Sequence, residues 1–339
     1  MSDAILILSF GGPERPEDVL PFLENVTRGR NIPRERLLEV AGHYDHFGGK
    51  SPINDYCRGL VSALRDLLAR EGPDLRVCWG NRNWHPLLAD TVRTMAADGI
   101  RRAFTFATSA FGSYSGCRQY REDIERARAA VGASAPAMPK LRLYYNHPGF
   151  VEPMAERVRQ AFERLPASRR EEAALVFTAH SIPLSMAAAS PYAAQLREAC
   201  RLVSERAGRP AWRLVYQSRS GPPSQPWLEP DILDHLRAVA AERSARDVVI
   251  APVGFVSDHI EVLYDLDTEA RGLCEELGLG MERAGTVGLD PRFVAMIREL
   301  VIERLSPGAE RRALGSDGAW GDDCPAGCCA VPQRPAAAR

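Results

Sequence analysis

Three groups of residues in this 339-residue chain have the types and spacing to do chemistry. The first is one histidine. In ALVFTAHSIP (174–183) an apolar, strand-like run ends at His180, and Pro183 stops the strand from continuing. A histidine just past a strand end stands at the rim of a cleft, where an imidazole of pKa about 6.5 can take a proton or offer a neutral nitrogen to a metal. A hydrogen-bonded structural imidazole is the competing reading. The second group is a carboxylate ladder. In SDHIEVLYDLDTE (257–269), Glu261, Asp265 and Glu269 recur every fourth residue, so a helix capped by Asp258 puts all three on one face. The helix dipole accounts for acids in the first turn, Asp258 and Glu261, but fades before Asp265 and Glu269. A row of oxygen donors suits a hydrated divalent cation handed from one weak site to the next.

The third group is sulfur. Of eight cysteines, Cys324, Cys328 and Cys329 crowd into six positions near the end of the chain, while Cys57, Cys78, Cys117, Cys200 and Cys274 are scattered singly. Scattered thiols are poor material for a disulfide framework and behave as small hydrophobes in a reducing compartment. The three clustered ones lie in a stretch after Leu305 that is dense in Gly, Pro and Ala and has no periodicity. Alone, such a tail is expected to be disordered, and metal ligation is one way to replace the burial it lacks. Three thiolates need a fourth. The spacing Cys-x3-Cys-Cys matches neither common zinc-ribbon nor common ferredoxin spacing, so it leaves zinc and iron equally open.

These residues need a scaffold. Apolar runs at 4–10, 75–80, 103–108, 141–146, 174–179, 212–217 and 247–253 read as strands. Amphipathic helices are expected at 59–71, 120–131, 150–165, 191–207 and 228–243. Alternation of this kind predicts an α/β fold of buried parallel strands covered by helices, in two doubly wound halves joined at the Pro-containing segment 135–140. The length also suits two domains. Beyond strand ends lie Gly11-Gly12-Pro13 and SAFGSYSGC (109–117), tight loops that read equally as plain turns or as anion cradles. With 43 basic against 44 acidic residues, the net charge of -1 gives no reason to expect nucleic acid or an anionic membrane as partner. No run of about 18 apolar residues occurs and the N-terminus has no positive leader region, so the expectation is a soluble cytoplasmic protein, with peripheral membrane contact not indicated.

Five segments in order carry a resemblance: LSFGGPERPEDVLPFLENV (8–26), YDHFGGKSPIN (44–54), FTAHSIP (177–183), YQSRSGPPSQPWLEP (216–230) and SDHIEVLYDLDTE (257–269). Together they make the chain closely resemble the ferrochelatases over about residues 4–305. ENVTRGRNIP, GNRNWHP and TSAFGSYSGCRQY look like the actinobacterial type, which is similar to the coproporphyrin-using branch.

The resemblance implies a chelatase-like fold of two Rossmann-like domains: 1–138, with a C-terminal helix at about 290–306 packing back on it; 139–289; and a cysteine-bearing extension, 307–339. It implies insertion of Fe2+ into coproporphyrin III, with protoporphyrin IX as the alternative ring. His180 would be the active-site base and Glu261 its carboxylate partner across the porphyrin plane, both meeting the Fe2+ substrate. Asp265 and Glu269 would guide iron inward or carry protons outward. Phe10, Arg28, Arg30, His43, Tyr44, Ser51 and Tyr120 would line the porphyrin pocket. Related enzymes often carry Tyr or Met where this chain has Phe10, which has no donor atom and is expected only to pack against the ring. Arg28 and Arg30 suit propionates, of which coproporphyrin has four and protoporphyrin two, though both fit solvated loop charges as well.

For the tail, the resemblance implies a [2Fe–2S] cluster held by Cys117 together with Cys324, Cys328 and Cys329. Adjacency of Cys328 and Cys329 strains any arrangement in which all three tail thiols bind at once. A monomer is expected. Two rivals remain: a cobalt-type chelatase acting on sirohydrochlorin, and a haem-binding or iron–sulfur sensor that has lost turnover.

Overall fold

The computed structural model describes residues 2–29, 32–221, 224–325 and 327–330. It is an α/β structure with two parallel sheets flanked by helices. The first sheet holds β1 (Ser2–Ser9), β2 (Arg76–Asn81) and β3 (Ile100–Ala107) in the order β2-β1-β3. The second holds β4 (Ala174–His180), β5 (Trp212–Gln217), β6 (Asp247–Ala251) and β7 (Gly280–Arg283) in the order β5-β4-β6-β7. Every pairing is parallel. Both sheets are covered on both faces, which is why β1 and β6 read as unbroken apolar runs: Ala4 to Leu8 and Val248 to Ala251 are fully buried.

Alternation along the strands sorts these side chains between layers. Ile5 and Ile7 of β1, Phe104 and Phe106 of β3, Leu175 and Phe177 of β4, and Val249 and Ala251 of β6 all enter one core. Their neighbours Leu6 and Leu8, or Val176 and Val248, enter separate outer cores. The helices Pro148–Arg164 and Pro291–Leu305 fill the shared layer with Phe150, Met154, Phe293 and Ile297. Pro291–Leu305 lies against both Ile53–Glu71 and Pro148–Arg164, and thus against elements on either side of the linker.

Two expectations are corrected here. The segment 141–146 is not a strand. Ala103, Thr105 and Leu141 exchange single hydrogen bonds with Ala137, Pro139 and Thr105, leaving isolated bridges beside β3. Pro136 and Pro139 lack the N–H groups that a ladder needs, and the chain then turns Tyr144 and Tyr145 into the core. The tail, expected to lack order without metal, is fastened along its length before the cysteines. Leu314 donates to Asn146 O at 2.8 Å, and Asn146 Nδ2 donates to Gly318 O at 2.8 Å. Arg142 makes a two-pronged, fully buried ion pair with Glu303 (2.6 and 2.8 Å) and donates to Arg312 O. Asp322 is held by Arg304 and Arg311 at 3.1 Å each. Hydrogen bonding and charge pairing stand in for the missing helical packing.

Candidate active site

β4 ends at His180, in register with Gln217 at the end of β5. The chain beyond is tied down. Ser181 N donates to Gln217 O at 2.8 Å, Ser181 Oγ donates to Leu228 O at 2.9 Å, and Leu228 N donates to Ile182 O at 3.0 Å. Tyr192 donates to His180 O at 2.9 Å. The imidazole is equally constrained, because His180 Nδ1 lies 2.5 Å from Ser181 O. A carbonyl oxygen only accepts, so Nδ1 carries a proton, and in the neutral imidazole the lone pair is on Nε2. Nε2 faces Glu261 Oε2 at 3.7 Å, with the two side chains 34% and 51% exposed. This geometry corrects one detail of the expectation. A flat macrocycle needs a van der Waals separation on each face, about 7 Å in all. As they stand, His180 and Glu261 leave no room for a flat macrocycle between them and lie together on one side of the cleft.

The ladder is built differently from the expected α-helix. Asp258 does not cap it: Asp258 accepts from Arg283 at 3.0 and 3.2 Å, and Arg283 also reaches Asp267 at 2.8 Å. His259 occupies the N-cap position of a short α-helical turn, Ile260–Val262, which passes into a π-helix, Leu263–Ala270. In α-helix every four-residue step over-rotates by about 40°. The wider π winding rotates less per residue and offsets that drift, keeping Glu261, Asp265 and Glu269 in a row.

Asp265 is the enclosed member. Burial pushes its carboxyl up to about 7, reinforced by Glu261 and Glu269 and opposed by hydrogen bonds from Ser218 and Gln217. Gln217 Nε2 also donates to Glu261 O at 3.3 Å, so one amide fixes two rungs. Ser218 makes its bond from a left-handed backbone, φ 60°, a conformation that costs a non-glycine residue. Glu269, at the outer end, is also raised, first by partial burial and then by Asp231.

The first half contributes an aromatic wall. Phe10 follows β1 and stays 37% exposed, edge-on to Phe22 at 6.2 Å, while Tyr44 and Trp84 meet Phe22 at 6.0 and 6.1 Å. Burial, with Glu261 nearby, drives the Tyr44 hydroxyl well above its ordinary range and keeps it protonated. His43 stacks flat on Tyr264 of the ladder helix, centroids 3.7 Å apart at 8°. The helix Arg34–Asp45 of the first half therefore meets the ladder of the second.

Other predicted pocket residues are placed otherwise. Ser51 is buried against the Gly12 loop, where a Cβ on Gly12 would stand 2.8 Å from the Ser51 Cβ. That loop is a packing turn. Tyr120 is buried beneath Arg82, whose guanidinium lies 4.5 Å from the ring centroid and pairs with Asp123. Arg28 is exposed just after the helix Pro16–Val26, and Arg30 lies outside the described residues. Sequence reasoning missed Tyr264, Gln217 and Ser218. All three lie inside segments singled out for resemblance, so proximity to His180 and the ladder was the available signal.

The cysteines converge far along the chain from one another. Cys117, Cys324, Cys328 and Cys329 line one cavity of about 270 Å³ between the tail and the helix Gln119–Val131. They are mutually close: the Cys324 thiol, with both Cys117 and Cys328 as hydrogen-bond neighbours, is pulled down to about 7 chiefly by Cys117, and Cys328 Sγ lies 3.6 Å from Cys329 Sγ. Cys329 is buried in a left-handed conformation, φ 53°, which costs a non-glycine residue. Among the described residues no group of three or more His, Cys, Asp or Glu side chains is arranged to hold a metal ion.

A histidine past the end of a parallel strand, a carboxylate ladder and an aromatic wall bring together groups that could handle a metal ion and its protons, the kind of chemistry a chelatase performs. The fold agrees. SirB from Bacillus subtilis, solved with Fe3+, superposes with a TM-score of 0.54 at 10% identity, covering 90% of this chain and 98% of that one. DR2241 from Deinococcus radiodurans, whose structure is described as similar to chelatases, superposes with a TM-score of 0.51 at 12% identity, covering 88% of this chain and 54% of that one.

Sequence comparison narrows the class: the ferrochelatase family profile matches residues 2–305, and the chain belongs to the ferrochelatase family. It is 55% identical to a ferrochelatase of Rhodopirellula baltica, over 98% of this chain and 95% of that one. It is also 55% identical to the coproporphyrin III ferrochelatase of Nocardia farcinica, over 99% of both chains, and 54% identical to that of Mycolicibacterium smegmatis, over 93% of both.

Proposed function

We propose that this chain inserts Fe2+ into coproporphyrin III, giving the iron porphyrin and releasing two protons. The observation that carries the reading is the His180 lone pair: Nε2 is unblocked, its tautomer is set by Ser181 O, and Glu261 stands 3.7 Å away. Insertion requires two pyrrole protons to leave before the ring nitrogens bind metal. His180 Nε2 takes a proton from the ring. Glu261 stabilises the imidazolium and strips water from the arriving Fe2+ substrate. Asp265, held near pKa 7 beside Glu261, exchanges protons readily at neutral pH and hands them to Glu269 at the outer end. Protons then leave along the ladder on one side of the ring, while Phe10 packs the other side without offering a ligand. His43 and Tyr44 close the wall, and Arg28 with Arg30 meets propionates.

Coproporphyrin III is favoured over protoporphyrin IX because the Nocardia and Mycolicibacterium relatives carry that name at 54–55% identity over nearly their whole length. Anaerobic insertion kinetics with each ring test this. Higher kcat/KM for coproporphyrin III supports the assignment, and higher kcat/KM for protoporphyrin IX overturns it.

The reading extends to the tail. Four thiols around one cavity suit a [2Fe–2S] cluster, in which four thiolates are shared between two irons. Cys117, Cys324, Cys328 and Cys329 would hold it, and it would supply a redox-active anchor for the tail. We further assign domains at 1–138 and 139–289 with the extension 307–339, and a monomeric, cytoplasmic protein; among the described residues no helix is long and apolar enough to cross a membrane.

A further inference from the structure

The composition of the chain is lopsided: of its 43 basic residues only Lys50 and Lys140 are lysines. Lys50 pairs with Asp55 on the surface at 2.6 Å. Lys140 lies in the wall of the cysteine cavity. The arginines around that cavity are each spoken for. Arg118 pairs with Glu122 at 3.0 Å and donates to Cys328 O at 3.2 Å, Arg304 pairs with Asp322 at 3.1 Å and Arg121 with Glu125 at 3.9 Å, while Arg128 donates to Pro136 O at 2.9 Å. Lys140 makes no ion pair with a carboxylate among the described residues; its ammonium donates to Leu141 O at 3.2 Å, in the wall of the cavity that Cys117, Cys324, Cys328 and Cys329 also line. Its backbone is held by the bridge to Thr105 and by Pro139 before it.

We propose that Lys140 is the positioning cation of the four-cysteine site, its ammonium stabilising the negative charge of the bound cluster and most strongly that of the reduced cluster. The inference rests on the cluster reading above. A lysine suits the task better than another arginine. Its charge is compact, and its three donors rotate to serve a carbonyl and a thiolate at once, whereas a guanidinium presents a flat fork matched to carboxylates. Reduction adds one electron to a centre that four thiolates already make anionic, so a fixed positive charge at its edge favours the reduced state.

The test uses the full-length protein purified without oxygen, as wild type, Lys140→Met, Lys140→Gln and Lys140→Arg. Iron and acid-labile sulfide are assayed, and the midpoint potential is measured by spectroelectrochemistry. The expected result is a cluster in the wild type and, in both neutral variants, about a tenfold weaker preference for the reduced state, a fall of ~59 mV for one electron. Lys140→Arg recovers most of the shift. Loss of the cluster from the neutral variants but not from Lys140→Arg also supports the inference. Unchanged potential in Met and Gln variants that retain the cluster overturns it and leaves the cluster reading standing. So does equal cluster loss from all three variants. A wild type without iron or sulfide overturns both.

Discussion

The two sulfur- and carboxylate-bearing sites of this molecule are made by opposite means. At the cleft, His180 and Gln217 are neighbours in sheet register, and the ladder rises from one helix after β6. Position there is inherited from the sheet. At the tail, Cys117 meets Cys324 across more than two hundred residues, with no helix or strand among the described residues of the tail. Position there depends on side chains: Arg142 on Glu303, Asn146 on the tail backbone, Arg304 and Arg311 on Asp322. A site whose geometry comes from a sheet can keep strained and charged groups such as Ser218 and Asp265, because the core around it supplies the stability. A site hung on ion pairs must supply part of its own stability.

That contrast can be broken first at Arg142. Its pair with Glu303 is buried, so Arg142→Met leaves that core carboxylate with only the more distant Arg311, at 3.7 Å, and releases the Arg312 carbonyl. The expected loss is about 3–5 kcal/mol of stability, read by chemical denaturation, with insertion per folded molecule unchanged. An equal loss of insertion would show that the tail and cleft are not separable.

A smaller effect sharpens the cleft side. The folded Asp265 holds its proton up to about pH 7, whereas an unfolded Asp releases it near pH 4. Between those values the folded chain binds more protons, so this residue makes stability fall as pH rises, by at most about 1.4 kcal/mol per pH unit. Asp265→Asn should flatten that slope and remove a limb near pH 7 from the pH profile of insertion. A variant with the slope and the limb intact would remove Asp265 from the proton path.

Much of this was legible in the sequence, and unevenly so. Strands β1, β4 and β6, central in their sheets, announce themselves because burial on both faces forces unbroken apolar runs, while the edge strands β3 and β5 do so only over their inner halves. The helix Arg34–Asp45 is fainter, since its stripe of Leu37, Val40, Ala41 and Tyr44 is only partly buried, against Val19, Phe22 and Leu23. Segment 141–146 misled because an apolar run going into a core looks like a strand; only Pro136 and Pro139 marked the difference. His180, Glu261 and the four cysteines could be named from type and motif. The π winding, the Arg283 partner of Asp258 and the His43–Tyr264 stack could not, because each depends on which elements meet in space.

The central claim is that His180 is the base of insertion, and the most direct measurement is anaerobic Fe2+ insertion into coproporphyrin III by wild type and His180→Ala at matched porphyrin occupancy. The account predicts that His180→Ala binds the ring with little change and loses turnover by about 10²–10⁴-fold. Turnover within a few-fold of wild type, with the ring bound, would contradict it.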